Sequence, residues 1–262
     1  MSSFALKWLA LILMVIDHMG AFLPGMPIWM RYLGRCSAPL FIFTLVWGFH
    51  YTHNRGRYLL RLYLGSVTMG VLVLVLNALL PRYGEPMTAN IFSTLFLIGV
   101  LICMKDRHWS DWLLFFAAQY ITLMLISWGS VKLMNFGVSS AYVTVIANAF
   151  FPNVIYTEGG ILFVVIGALI DRWKNQSLWL TVSYLLCCFA AYLLAANRGL
   201  LPGDLSFLAI FAHYQWMMVG ALLPMLLYNR RRGKGSKKFF YIFYPAHLAV
   251  LHGFGWLLER AL

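Results

Sequence analysis

The chain has 262 residues, of which 62% are hydrophobic and only 11% are charged. A soluble domain is nearer half apolar and a quarter charged, so this composition excludes an ordinary soluble protein. The net charge of +12 bears on topology before it bears on partners, because the cytoplasmic loops of membrane proteins collect Lys and Arg. The apolar excess is spread along the chain and predicts a single all-α integral membrane domain over residues 1–262. We expect it to contact membrane lipid and not to bind nucleic acid.

Apolar runs predict a polytopic bundle of about nine membrane-spanning helices, with ten as the alternative. They lie at residues 6–23, 36–52, 58–80, 90–104, 110–128, 155–170, 178–196, 205–228 and 239–258. The first run is not expected to be a cleavable signal peptide, because no small-residue cleavage site precedes Pro24. Residues 138–152 are apolar but short, so we expect them to lie on the outer side of the membrane or to dip in from there. A tenth crossing is the alternative for this segment.

Basic residues gather in four of the predicted loops. With Lys7, these loops hold fourteen of the twenty Lys and Arg residues. The loops are residues 53–61, 105–108, 171–175 and 230–238. The positive-inside rule therefore places the N-terminus and all four loops in the cytoplasm, and it places the C-terminus outside.

The first apolar run carries two adjacent ionisable residues, Asp17 and His18. His18 follows Lys7, a natural interface anchor, by a helical rise of roughly 16 Å, which puts it at or just past the midplane of a hydrocarbon core about 30 Å thick. Ionisable residues at that depth are costly and count as a functional-site hypothesis by default. The alternative is a helix end, where both side chains reach water at the far interface before Pro24.

Three further polar residues, Glu158, His213 and His247, are predicted at a depth similar to that of Asp17 and His18. The five can form one polar layer, although a buried structural histidine is the alternative for each imidazole alone. A histidine in a polar pocket suits general-base catalysis, because its unperturbed pKa of about 6.5 is close to neutral pH. Asp17 is about 100° round the helix from His18, so Glu158 is the better candidate to orient the imidazole.

The arginines have two interpretations. Arg55 and Arg57 fit solvated anchoring in a cytoplasmic loop, or phosphate recognition, for which the guanidinium fork is well suited. Arg35 is expected on the outer side, where its charge needs a partner, and Asp17 or Glu158 has the right sign.

No metal or disulfide site is predicted. His50 and His53 are three residues apart but have no acidic partners, so we interpret them as interface residues. The cysteines lie in or beside apolar runs and are expected to be small buried hydrophobic residues. They are Cys36, Cys103, Cys187 and Cys188.

Five blocks of the sequence resemble, in the same order, the blocks of the TraX family. They read KWLALILMVIDHMGAF, LGRCSAPLFIFTLVWGFHYTHNR, NIFSTLFLIGVL, EGGILFVVIGALI and FFYIFYPAHLAVL. The IDH, GR-x3-PLF and YPAHLAVL motifs are specific in combination, and the resemblance covers essentially the whole chain.

TraX proteins are membrane acetyltransferases that acetylate the N-terminus of F pilin, and they are similar to a wider group of transmembrane acyltransferases that use cytosolic acetyl-CoA. The resemblance implies a multi-pass acyltransferase of a bacterial inner membrane that takes acetyl-CoA and a pilin or other exported acceptor. In the wider group a histidine on an early helix carries the chemistry, which matches His18. The alternative function is a non-catalytic pilus-assembly factor or a small-solute transporter.

The expected reaction is direct transfer of the acetyl group. His18 would deprotonate the acceptor amine or hydroxyl, which would then attack the thioester, and Arg35, His247 or Tyr244 would stabilise the oxyanion. The residues expected at the reacting centre are His18, Asp17, Glu158 and Arg35. Those expected at the donor are Arg55, Arg57, Tyr244 and His247.

Overall fold

A computed structural model describes residues 1–82, 86–88, 90–196, 214–231, 233 and 237–261, and no strand occurs within these ranges. The helices are α1 Ser3–Phe22, α2 Trp29–Gly34, α3 Ser37–His50, α4 Arg55–Leu79, α5 Ile91–Met104, α6 Trp109–Met134, α7 Ser140–Phe150, α8 Gly160–Trp173, α9 Ser177–Ala196, a 3-10 helix Tyr214–Ala221, α10 Leu222–Leu226 and α11 Lys237–Ala261. The predicted all-α fold is confirmed.

Within the described ranges, five helices are long and apolar enough to cross a membrane. They are Ser3–Phe22, Trp29–His50 (α2 and α3 taken together as one candidate span), Arg55–Leu79, Trp109–Met134 and Ser177–Leu194. The chain is therefore a polytopic membrane protein, as predicted. Helices lie at every predicted span, although the span 205–228 is described only from Tyr214 onward, and His213 falls outside the described residues. The full count of nine or ten crossings stays a prediction.

Side chains at the helix starts explain where several helices begin. The hydroxyl of Ser2 accepts a hydrogen bond from the backbone N–H of Ala5 at 3.2 Å before α1. The Asn54 side chain accepts from the N–H of Arg57 at 2.8 Å before α4. Such caps satisfy backbone donors that the first turn of a helix leaves without intrahelical partners.

The chain forms two compact units, and each combines two separate stretches of sequence. The first unit contains Met1–Trp47 and Leu169–Phe240, and the second contains Gly48–Ala168 and Tyr241–Leu262. In the first unit, α2 packs against both α1 and the 3-10 helix, and the 3-10 helix packs against α9.

In the second unit, α4 packs against α5 and α7. Helix α7 runs antiparallel to α4, because the Tyr142 hydroxyl, near its start, lies 3.5 Å from the carbonyl oxygen of Asn77, while the Ser66 hydroxyl donates to the carbonyl of Ala149 near its end. Gly70 permits this contact, since a Cβ there would lie 2.2 Å from the Cβ of Ala149. The short segment predicted at 138–152 thus packs along α4.

Candidate functional site

Asp17 is at the centre of an ion cluster in the first unit, which we call the Asp17 cluster. The Arg35 Nη2 atom donates to both carboxylate oxygens of Asp17, at 2.5 and 2.6 Å. The Arg31 Nη1 atom lies 2.8 Å from Oδ2 of Asp17 and donates to its backbone carbonyl at 2.9 Å. A second nitrogen of Arg35 donates to the Gln215 side chain at 3.2 Å. The cluster therefore joins α1, α2 and the 3-10 helix.

The local sequence explains this convergence. Arg31 and Arg35 are four residues apart, so they lie on one face of a helical turn. Between them, Gly34 brings its backbone against α1, since a Cβ there would lie 2.2 Å from the Cβ of Asp17. A side chain larger than hydrogen would separate the two helices and break the ion pairs.

The electrostatics of the cluster are those of a partly buried ion pair. The Asp17 side chain is 11% exposed, and those of Arg31 and Arg35 are 20% and 19% exposed. Removing one partner from such a pair strongly destabilises the folded protein, because it leaves the other charge buried without compensation. Of the two acids considered for Arg35, the structure selects Asp17. Sequence reasoning missed Arg31, although its i,i+4 spacing from Arg35 was a usable signal.

His18 is buried next to Asp17 on α1, at 8% exposure. Its ring lies against Phe22, with 5.6 Å between the ring centroids. The Asp17 carboxylate is engaged by Arg31 and Arg35.

The second unit holds the other predicted site residues. The Tyr244 hydroxyl accepts from the backbone N–H of Ile91 at 3.4 Å, and it lies within electrostatic range of Glu158. His247 has its Nδ1 atom 2.9 Å from the carbonyl oxygen of Phe243. The Tyr244 and His247 rings are 5.5 Å apart.

Four of the five residues predicted to form one polar layer are described: Asp17 and His18 lie in the first unit, and Glu158 and His247 lie in the second. Arg35 belongs with the first group of polar residues and Tyr244 with the second. That the five residues form one layer stays a prediction. The predicted pairing of His18 with Glu158 stays a prediction.

Arg55 and Arg57 lie exposed in the first turn of α4. The start of α4 lies close to the second half of α5, since a Cβ at Gly99 would lie 2.8 Å from the Leu59 side chain. The basic loops 53–61 and 105–108 therefore lie at the same end of these two helices. Such a surface can bind phosphate groups. Among the described residues, no group of three or more His, Cys, Asp or Glu could hold a metal ion.

These features can be compared with known proteins. A family model described as TraX protein matches residues 2–255. The chain belongs to the TraX family. It is also 26% identical over 261 residues to a protein of Dichelobacter nodosus named "Probable fimbrial assembly protein FimC, serogroup H1", across 95% of this chain and 94% of that one. No solved structure matches the chain. The TraX match spans both groups of polar residues.

Proposed function

We propose that this TraX-family protein is a membrane-embedded acetyltransferase that moves an acetyl group from cytosolic acetyl-CoA to an exported acceptor, and that the acceptor is the N-terminal amine of a pilin. The printed name of the Dichelobacter nodosus relative, a probable fimbrial assembly protein, supports a role connected with pili. The observation that carries the proposal is His18, a buried histidine beside an ion cluster in a chain that matches the TraX model.

In the proposed reaction, His18 removes a proton from the acceptor amine. The nitrogen attacks the thioester carbonyl, the new C–N bond forms, and the C–S bond breaks as coenzyme A leaves. The proton held by the imidazole passes to the departing thiolate. The Asp17 cluster fixes α1 against α2, so its proposed part is to hold His18 in place.

The remaining roles follow from the residue chemistry. Arg55 and Arg57 would bind the phosphates of acetyl-CoA at the exposed start of α4, because a guanidinium matches phosphate oxygens in geometry and charge. Tyr244 and His247 are proposed at the donor thioester, where a hydroxyl or imidazole can stabilise an oxyanion. Arg35 and Glu158 are proposed at the reacting centre, Glu158 as the group that orients the imidazole.

The proposed location is a bacterial inner membrane, with the N-terminus and the basic loops in the cytoplasm. Acetyl-CoA is available there, whereas an exported pilin presents its N-terminus on the other side. A base at mid-depth can serve both substrates, and the depth expected for His18 on α1 supports this arrangement.

The alternative is a non-catalytic pilus-assembly factor or a small-solute transporter. The purified protein should release coenzyme A from acetyl-CoA slowly on its own and faster with a peptide acceptor. Envelope proteins from cells with and without the protein can be compared by mass spectrometry. In cells without the protein, the acceptor should lack one acetyl group. If the envelope proteins have identical masses and no coenzyme A is released, the enzymatic proposal is wrong and the assembly role is favoured.

A further inference from the structure

The guanidinium groups of Arg31 and Arg35 are engaged to different extents in the Asp17 cluster. Arg35 donates through all three of its nitrogens. Its Nε donates to the Arg31 carbonyl at 3.3 Å, its Nη1 to Gln215 at 3.2 Å, and its Nη2 to the Asp17 carboxylate. Among the described residues, the guanidinium of Arg31 contacts polar groups through Nη1 alone, and both of those groups are on Asp17. The N–H groups on its Nε and Nη2 atoms therefore have no acceptor in the part of the chain that the structure describes.

The side chain of Arg31 is nevertheless held in place. Its aliphatic stem lies on Gly20, where a Cβ would lie 3.2 Å from the Cδ atom of Arg31. The carbonyl and the carboxylate of Asp17 fix the Nη1 atom at 2.9 and 2.8 Å, and 20% of the side chain is exposed. A guanidinium that is already ordered loses little entropy on binding, so its Nε–Nη2 edge is prepared for a planar anion.

The Asp17 cluster carries more positive than negative charge. Two arginines, Arg31 and Arg35, meet the single carboxylate of Asp17. The other acid that the structure describes in the first unit, Asp171, is engaged by Lys174 at 2.7 Å. An unbalanced charge inside an apolar span is costly, and a second carboxylate on Arg31 would balance it. A guanidinium edge and a carboxylate match in geometry as well as in charge.

The depth of the cluster indicates which anion it would meet. Asp17 is five residues before the end of α1 at Phe22, a rise of about 7.5 Å, and the chain continues with the apolar Leu23 and Pro24. The cluster is therefore expected below the headgroup level, at which lipid phosphates lie. His18, the proposed base, is the next residue on α1, so an acceptor whose amine meets His18 brings its neighbouring groups to this cluster.

We propose that Arg31 is a specificity-determining residue, and that its Nε–Nη2 edge binds a carboxylate carried near the amine of the acceptor. The identity of the ligand rests on the proposed function. Arg35 pairs with Asp17 by itself, so Arg31 can bind the ligand without loss of the contact between α1 and α2. The substrate class is then a primary amine with an acidic group close to it, such as a peptide with Glu or Asp near its N-terminus.

Pairs of peptides test this proposal. Short, C-terminally amidated alanine–leucine peptides with a free N-terminus carry either Glu or Gln at one of the positions next to the amine. Their affinities for the purified protein are measured by calorimetry in an uncharged detergent at neutral pH. In at least one pair, the wild type should bind the Glu peptide about 10-fold more tightly than the Gln peptide. This is the low end for a hydrogen bond to a charged group, because Arg31 is partly exposed.

Variants of Arg31 separate recognition from folding. Arg31→Gln leaves the pair of Arg35 and Asp17 in place, so the protein should stay folded. It should abolish the preference for the Glu peptide and leave the affinity for the Gln peptide unchanged. Arg31→Lys, which keeps the charge but not the guanidinium fork, should retain part of the preference. Arg172→Gln is the matched control, because it removes an exposed positive charge near the end of α8 in the same unit and should change neither affinity.

Equal affinity of the wild type for Glu and Gln in every pair, including no binding of either, would overturn the proposal. So would an Arg31→Gln variant that keeps the preference. If phosphatidylglycerol raises the thermal midpoint of the wild type but not of Arg31→Gln, and no peptide preference is found, Arg31 binds a lipid phosphate and the proposed ligand is wrong. A preference for Glu without release of coenzyme A would retain this inference and remove the acetyltransferase proposal, whereas equally efficient transfer to Glu and Gln peptides would do the reverse.

Discussion

The Asp17 cluster and residues 151–159, the irregular segment between α7 and α8 that we call the break, are both polar regions of a membrane protein, but different forces hold them together. In the Asp17 cluster, two guanidinium groups engage one carboxylate at 2.5–2.8 Å. In the break, neutral hydroxyl and amide groups hold an irregular backbone. The Asp17 cluster therefore depends on charge pairing between α1 and α2, whereas the break depends on neutral hydrogen bonds to α5 and α6.

The largest expected effect is on catalysis. His18→Ala should lower turnover about 10²- to 10⁴-fold, the usual contribution of a positioned proton acceptor. Coenzyme A affinity, measured by calorimetry, should hardly change, because the imidazole is expected to meet the acceptor and not the nucleotide. The wild-type rate should rise with pH across the titration of the imidazole.

His18→Asn serves as the control for this prediction, since asparagine keeps a hydrogen-bonding group but cannot take up a proton near neutral pH. It should be nearly as inactive as His18→Ala. A well-folded His18→Asn protein with full acetyl transfer would remove His18 from the mechanism, and His247 would become the candidate base. A loss of thermal stability with normal turnover would give His18 a structural role.

The next effect is on stability. Asp17→Asn should lower the free energy of unfolding by about 3 kcal/mol, because it leaves two partly buried guanidinium groups without their carboxylate. The measurement is a thermal midpoint in detergent. Replacing Arg31 as well should recover part of the loss, since less positive charge then lacks a partner. An unchanged midpoint for Asp17→Asn would mean that solvent screens the cluster and that it does not frame α1.

The sequence predicted much of the first region. Apolar composition and length define α1, and the cost of burying Asp17 and His18 marks them as functional candidates. The need of Arg35 for an acidic partner was also predictable, and the structure supplies Asp17. The contribution of Gln215 was not, because contacts between residues far apart in sequence depend on packing that periodicity does not encode.

The break was harder to predict, for a physical reason. Residues 138–152 and 155–170 are each apolar, and hydropathy alone cannot tell a broken segment from a short one beside a long one. The deciding information is in neutral side chains such as Gln119 and Thr94, whose hydrogen bonds to the backbone are visible only when the helices are assembled. Isolated hydroxyl and amide groups on apolar helices carry no such signal.

A smaller effect on stability is expected from a change in the contact between α4 and α7. Gly70→Ala places a methyl group 2.2 Å from the Cβ of Ala149, and such overpacking should cost about 1–3 kcal/mol of stability. The thermal effect of Asp17→Asn should be additive with that of Gly70→Ala. The thermal midpoints of the two variants and of the double mutant test this.

Gly129→Ala, in the interior of α6, is the matched control. A Cβ there meets Val143 at an ordinary 3.7 Å, and alanine is the better helix former, so stability should stay equal or rise. Equal midpoints for Gly70→Ala and Gly129→Ala would mean that α7 shifts without cost and that the break is not fixed through α4.

The smallest expected effect concerns the donor and leaves both regions intact. Replacing Arg55 and Arg57 with Ala should raise the KM for acetyl-CoA about 3- to 10-fold, in line with exposed ion pairs worth under about 1 kcal/mol each. The kcat should change little, because phosphate contacts far from the thioester stabilise ground state and transition state alike. Lys132→Ala is the matched control. It removes an exposed charge in the last turn of α6, at the opposite end of that helix from the loop 105–108, and should leave the KM unchanged. An unchanged KM in the double arginine variant would assign these side chains to anchoring, and Arg107, which acts on Cys103 together with Arg55, would be the next residue to replace.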